Sequence, residues 1–192
     1  MTIATPPAAP AVKITPEELL AMPDAVDFEL VDGQLVERQM GFESSEIAAR
    51  IIGILIAFLR GKHLGRIAGA DGSYQCFPTA PKKVRKPDVS LIRTGRLPNE
   101  KSPEGHCPIA PDLAVEVISP NDLAEEVEEK VNEYLAVGVP LIWVVSPASK
   151  TVRAHRPGSP SAATVYTATD TITGEDVIPG FTCRVGEFFE PL

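Results

Sequence analysis

The stretch "APDLAVEVISP", residues 110–120, constrains the fold more than any other part of this 192-residue chain. Its middle is short, apolar and rich in β-branched residues, which is how a strand covered on both faces of a sheet reads. Glu116 interrupts it between Val115 and Val117. A carboxylate removed from water is costly unless something compensates it. A chain that keeps one here needs a partner for it.

The surrounding sequence supplies the rest of a sheet. "GRIAGADGSYQCF" (65–77), "KPDVSLI" (86–92), "DLAVEVIS" (112–119) and "PLIWVVSP" (140–147) are strand candidates by length, composition and Gly/Pro borders. Asp32-Gly33 between the apolar runs of "FELVDGQLVE" predicts a hairpin. "TPEELLAM" predicts a capped helix start, with Thr15 as N-cap, Pro16 at the first position and Glu18 closing a capping box. A helix from about Ser44 to Arg60 is apolar nearly all round, and burial is expected for it. Residues 121–137 predict a second long helix, with Asn121 as N-cap and Gly138 as its stop. Residues 148–192 alternate and carry turn signals such as Pro179-Gly180, so peripheral strands are expected. The Pro-rich residues 1–12 read as a flexible tail, and 13–192 as a single mixed α/β domain.

Composition narrows the function. Acidic residues outnumber basic ones 26 to 18, for a net charge of −8. That argues against tight, non-specific binding to nucleic acid. The densest basic patch is "PKKVRK" (81–86), whose Lys82, Lys83, Arg85 and Lys86 could guide a phosphate backbone or belong to a solvated loop. No apolar run has the length of a membrane span, and the first residues lack the basic start and apolar core expected of a secretory signal. Three widely spaced cysteines and three isolated histidines favour reduced thiols in a cytoplasm and give zinc little support.

Two carboxylates draw attention. In "KPDVSLI", Asp88 shares a face with Lys86, Ser90 and Ile92; in "DLAVEVIS", Glu116 shares one with Ala114 and Ile118. If the two strands are neighbours, Asp88 and Glu116 point the same way and need a shared proton or cation. A hard divalent ion fits that need. Spacing alone leaves another reading open, in which Asp88 opens a strand after Pro87 and Glu116 faces solvent at an edge. On the following helix, Leu123, Val127, Val131, Tyr134 and Leu135 form an apolar stripe, and Lys130 flanks it. Lys130 either pairs with Glu126 along the helix or reaches over the sheet toward Glu116.

In their order, "FELVDGQLVE", the apolar helix, "RKPDVSLI", "PDLAVEVISP", "EKVNEYLAVGVPLIWVVSP" and "ITGEDVIPGF" resemble the Uma-two family. These are bacterial proteins similar to restriction endonucleases of the PD-(D/E)xK superfamily, and the resemblance spans roughly residues 13–190. It implies an α/β fold with a restriction-endonuclease-like core: a mixed central sheet flanked by helices, with additional peripheral strands. It carries Asp88 onto the PD aspartate and Glu116 onto the acidic residue of the (D/E)xK strand. The lysine expected two residues later is Ile118 here, and the family's helix lysine matches Lys130. The histidine that often opens the first long helix is absent, and Glu43 or Glu46 could take part of its role. Glu29 also matches a family position.

The resemblance implies metal-dependent hydrolysis of phosphodiester bonds in DNA. Asp88 and Glu116, with the carbonyl of Val117, would hold Mg²⁺ or Mn²⁺; Lys130 would position or deprotonate the attacking water; Glu43 would assist. DNA is the expected partner, weakly bound, and homodimerisation is left open. RNA or a small phosphodiester is a further substrate candidate. The competing reading is a binding module that kept a nuclease fold and lost turnover.

Overall fold

The computed structural model describes residues 13–39, 41–158 and 163–190; the predicted tail over 1–12 lies outside them. In chain order the elements are α1 (Pro16–Ala21), β1 (Phe28–Val31), β2 (Gln34–Glu37), α2 (Phe42–Leu59), β3 (Gly65–Gly69), β4 (Val89–Arg93), β5 (Leu113–Val117), α3 (Ala124–Ala136), β6 (Leu141–Ser146), β7 (Thr151–His155), β8 (Thr164–Tyr166), β9 (Thr171–Thr173) and β10 (Thr182–Arg184). Strands β3 to β8 form one six-stranded sheet in sequence order. Only β5 and β6 run parallel, joined by α3 as a crossover; every other neighbouring pair is antiparallel. The result is the mixed sheet with flanking helices and peripheral strands that the sequence implied.

The side-chain alternation of β5 divides the core. Leu113, Val115 and Val117 pack with Ile47, Ile51 and Leu55 of α2 and with Trp143, Phe181 and Phe188. Ala114, on the other face, packs with Val127, Val131 and Tyr134 of α3 and with Ile142 and Val144 of β6. Each apolar side chain buried this way contributes about 1.5–3 kcal/mol. Glu116 therefore points into the layer between the sheet and α3.

Several local expectations shift. The hairpin turn forms as predicted: Asp32 and Gly33 both have positive φ (52° and 82°), the type I′ geometry that suits the twist of paired strands. Thr15 and Glu18 make the capping box. Gly138, at φ 82°, follows the end of α3, and its N–H caps Leu135. The strand expected over 65–77 ends at Gly69, where a turn closes through Gly72 N–H to Gly69 O; Tyr74 then makes only isolated bridges to Arg85 and Cys107. Asn121 does not cap α3. Asp122 instead accepts the Ser119 N–H at 2.7 Å, forming a turn, and the helix begins after Leu123. Helix α2 buries one face, not its whole circumference: Phe42 is 89% exposed and Ile56 46% exposed. The sheet covers the Ile47–Ile51–Leu55 side, and nothing among the described residues covers the opposite one. No described helix is long and apolar enough to cross a membrane.

Candidate active site

Strands β4 and β5 pair with Val89 opposite Val115, so one further step along the register sets Asp88 opposite Glu116. Both residues are buried and line the same cavity of about 460 Å³. Asp88 Oδ2 accepts the Val117 N–H at 2.7 Å, which ties the aspartate to the strand that carries Glu116. By the same register Pro87 stands opposite Val117. Having no N–H, it cannot engage the Val117 carbonyl.

Helix α3 supplies the partners of Glu116. Lys130 Nζ donates to Glu116 Oε2 at 3.1 Å, and Tyr134 Oη donates to Oε1 at 2.9 Å. Lys130 and Tyr134 are four residues apart and therefore neighbours on one helix face. The lysine stem follows the apolar stripe while its ammonium reaches the carboxylates. Lys130 has no bond to Glu126; its second carboxylate is Glu29, with Oε1 at 3.4 Å. Of the two readings the sequence left open, the helix takes the one facing Glu116.

Glu29 comes from the β1–β2 hairpin and is 1% exposed, far from the solvent-facing position a hairpin residue could take. Its Oε2 accepts from Arg85 at 3.0 Å and its Oε1 from the Lys86 N–H at 2.8 Å. Arg85 continues to Glu133 of α3 at 2.7 Å, and Glu133 also binds Lys83. Lys86 donates to the Ala25 carbonyl. The "PKKVRK" segment is thus no surface patch: Lys83, Arg85 and Lys86 are buried and only Lys82 is exposed. The cause is the bridge between Val84 and Leu30, which draws this segment beneath the hairpin. The Lys83 and Arg85 charges are consumed by Glu29 and Glu133.

Arg38 follows β2 and closes the cavity's other side, with Nη2 3.1 Å from Asp88 Oδ1. Nothing local in the sequence marks Arg38, whose partner lies fifty residues away. Tyr134 belongs to the apolar stripe by its spacing, and its hydroxyl role shows only in the structure. Glu43 and Glu46 are exposed on α2 and do not line the cavity; Glu46 pairs with Arg50 at 2.7 Å. The side chain from that first turn which faces the site region is Ser44, whose hydroxyl meets Ser119 at 2.9 Å.

The electrostatics follow from crowding. Burial, then the neighbouring Asp88 and Glu29, push the Glu116 carboxyl up to about 7 against the pull of Lys130. Burial also raises Asp88, although the Val117 N–H and Arg38 oppose it. Burial acts on Glu29 too, but Lys130 and Arg85 outweigh it and hold its pKa low. Lys130 is desolvated, yet Glu116, Glu29 and Asp88 together hold its pKa above the ordinary lysine value. Burial and the nearby Glu116 keep the Tyr134 hydroxyl protonated and a donor. The cavity therefore crowds buried carboxylates together, and Glu116 is pushed up to about 7 despite its two donors.

Among the described residues no group of three or more His, Cys, Asp and Glu is arranged to hold a metal ion. What the cavity offers is two crowded carboxylates and one carbonyl. That all-oxygen donor set suits a hard divalent ion that keeps most of its waters.

Comparison with known proteins gives the family and the fold. The model of the Uma2 family, described as "Putative restriction endonuclease", matches residues 16–186. The fold is similar to the crystal structure of a protein from Anabaena variabilis ATCC 29413, described as a "putative nuclease belonging to DUF820". The TM-score is 0.76 at 20% sequence identity, over 92% of this chain and 97% of that one. Among curated proteins no sequence matches. The match to the family model runs through α1, the hairpin, the whole six-stranded sheet and β10, and the chain belongs to the Uma2 family.

Proposed function

We propose that this protein is a metal-dependent nuclease that hydrolyses phosphodiester bonds in DNA, with Asp88, Glu116 and Lys130 as its working residues. The observation that carries the reading is the convergence of these three side chains on one cavity, in a chain whose strand lysine is replaced by Ile118. Asp88, Glu116 and the Val117 carbonyl would hold Mg²⁺ or Mn²⁺. Such an ion lowers the pKa of a bound water and offsets charge building on the phosphate.

The chain's own residues do the rest. Glu116 and Glu29 hold the Lys130 pKa above the ordinary lysine value, which favours a role as hydrogen-bond donor and positive charge over a role as base. Its donors would hold the attacking water or a phosphate oxygen. Tyr134 fixes Glu116 Oε1, leaving the carboxylate one defined orientation. The Arg85–Glu29 pair anchors Lys130 from the hairpin side. Free Cys76, Cys107 and Cys183 fit a reducing compartment.

A specific observation favours a second reading. With Lys83 and Arg85 buried in ion pairs, Lys86 buried against the Ala25 carbonyl and a net charge of −8, little of this segment's charge is left for a duplex. The alternative is a binding module without turnover. Incubation of the wild type and Glu116→Gln with supercoiled, linear and single-stranded DNA, in Mg²⁺ or Mn²⁺, separates the two. Cleavage by the wild type alone supports the nuclease; no cleavage under any of these conditions supports the module.

A further inference from the structure

Three cations line the cavity, and they are not equivalent. Arg85 is held by two carboxylates, Glu29 and Glu133, and Lys130 by two, Glu116 and Glu29. Arg38 is held by one. A single N–H of its guanidinium donates to Asp88 Oδ1, and its remaining donors take no protein partner among the described residues. A guanidinium has five N–H donors arranged for bidentate contact with carboxylate or phosphate, so most of this one's capacity is unused.

The position is held firmly enough to matter. The Arg38 N–H donates to the Asp27 carbonyl at 2.8 Å, which seats the residue at the end of the β1–β2 hairpin. Its side chain is 11% exposed, so a mostly buried arginine stands at the cavity wall. Its one partner is also the aspartate to which the proposed function assigns a divalent cation. A carboxylate oxygen that turns to a cation is no longer available to the arginine at full strength.

We propose that Arg38 is the residue that binds the substrate's phosphodiester, and that it exchanges partners to do so. In the protein alone it neutralises Asp88. With a divalent ion on Asp88, the guanidinium turns its donors to the non-bridging oxygens of a phosphodiester entering the cavity. This inference rests on the nuclease reading above. It differs from a structural ion pair in one consequence: Arg38 competes with the metal for Asp88 but cooperates with the substrate phosphate.

Two titrations test it without turnover. Mn²⁺ affinity is measured by calorimetry, and affinity for a short single-stranded DNA oligonucleotide is measured in Ca²⁺, for the wild type, Arg38→Ala and Arg38→Lys. Arg38→Ala is expected to bind Mn²⁺ several-fold more tightly and the oligonucleotide about tenfold or more weakly, the loss of a charge-assisted hydrogen bond to phosphate. Arg38→Lys, with its charge but no bidentate fork, is expected to restore the Mn²⁺ affinity and only part of the oligonucleotide affinity. General damage to the site would weaken both ligands together. If the wild type binds both and Arg38→Ala moves them in the same direction, or moves neither, the partner exchange is wrong and the nuclease reading stands. If the wild type binds no Mn²⁺, both fall.

Discussion

Lys130 Nζ stands 3.1 Å from Glu116 Oε2 although the two residues lie on different elements, a strand and the crossover helix that follows it. On the proposed nuclease reading, the relationship supplies from the helix the ammonium that Ile118 cannot supply from the strand. It also makes Lys130 answer for two carboxylates at once, since Glu29 lies 3.4 Å away.

Replacing Lys130 by Ala is therefore expected to damage both stability and turnover. Removing one partner of a buried pair costs about 3–5 kcal/mol, and the low end applies because Lys130 keeps 21% exposure. Turnover should fall by about 10²–10³, the range for losing one donor aimed at developing charge. Lys130→Arg should recover the stability better than the rate, because a planar guanidinium does not fit where an ammonium sits between two carboxylates. Denaturant melts and single-turnover cleavage, run on the same preparations, separate the two effects.

The pH dependence of stability should reveal the crowding around Glu116. Its folded pKa is raised to about 7 from 4.5, with Asp88 before β4, Glu29 on β1, and Lys130 and Tyr134 on α3 facing it. A raised carboxyl favours folding while it is protonated, so its contribution is full below about pH 4.5 and is lost as pH rises through 7. Glu29, with its pKa held low, works in the opposite direction and loses its contribution as pH falls. Glu116→Gln isolates the first effect. Without divalent ions it should gain stability relative to the wild type between roughly pH 5 and 8, by at most about 3 kcal/mol. Saturating Mn²⁺ should stabilise the wild type selectively and shrink that gain. A difference that does not change with pH contradicts the assignment.

The buried basic segment makes a prediction opposite to that of a DNA-guiding patch. Arg85→Ala should destabilise the fold by about 3–5 kcal/mol, because Glu29 and Glu133 both lose a buried partner. Lys82→Ser should change stability by less than about 0.5 kcal/mol. Chemical denaturation of the two variants checks this. Equal and small effects would return the segment to the surface.

The architecture was legible where one local signal dominated. Asp32-Gly33 allowed only a tight hairpin, and the apolar runs around Val115 and Trp143 only covered strands. The facing of Asp88 and Glu116 followed from strand alternation once their strands were neighbours. What stayed hidden depended on partners distant in sequence. Arg85 shows its charge in the sequence, but not that Glu29 and Glu133 consume it; Arg38 gives no sign of Asp88; and the polar end of Tyr134 is invisible in an apolar stripe. Helix α3 started late for a local reason, since Asp122 used its carboxylate on a turn rather than on a cap. Glu43 was inferred from its place in the helix, yet the face it occupies turns to solvent.

The central claim is that Asp88 and Glu116 share one divalent cation, and anomalous diffraction from a crystal soaked in Mn²⁺ tests it most directly. A single strong peak is expected in the cavity, with one oxygen of each carboxylate and the Val117 carbonyl about 2.0–2.6 Å from it. The peak should disappear in Glu116→Gln. A cavity without a peak, Lys130 still at Glu116 and Arg38 still at Asp88 after the soak, would contradict it.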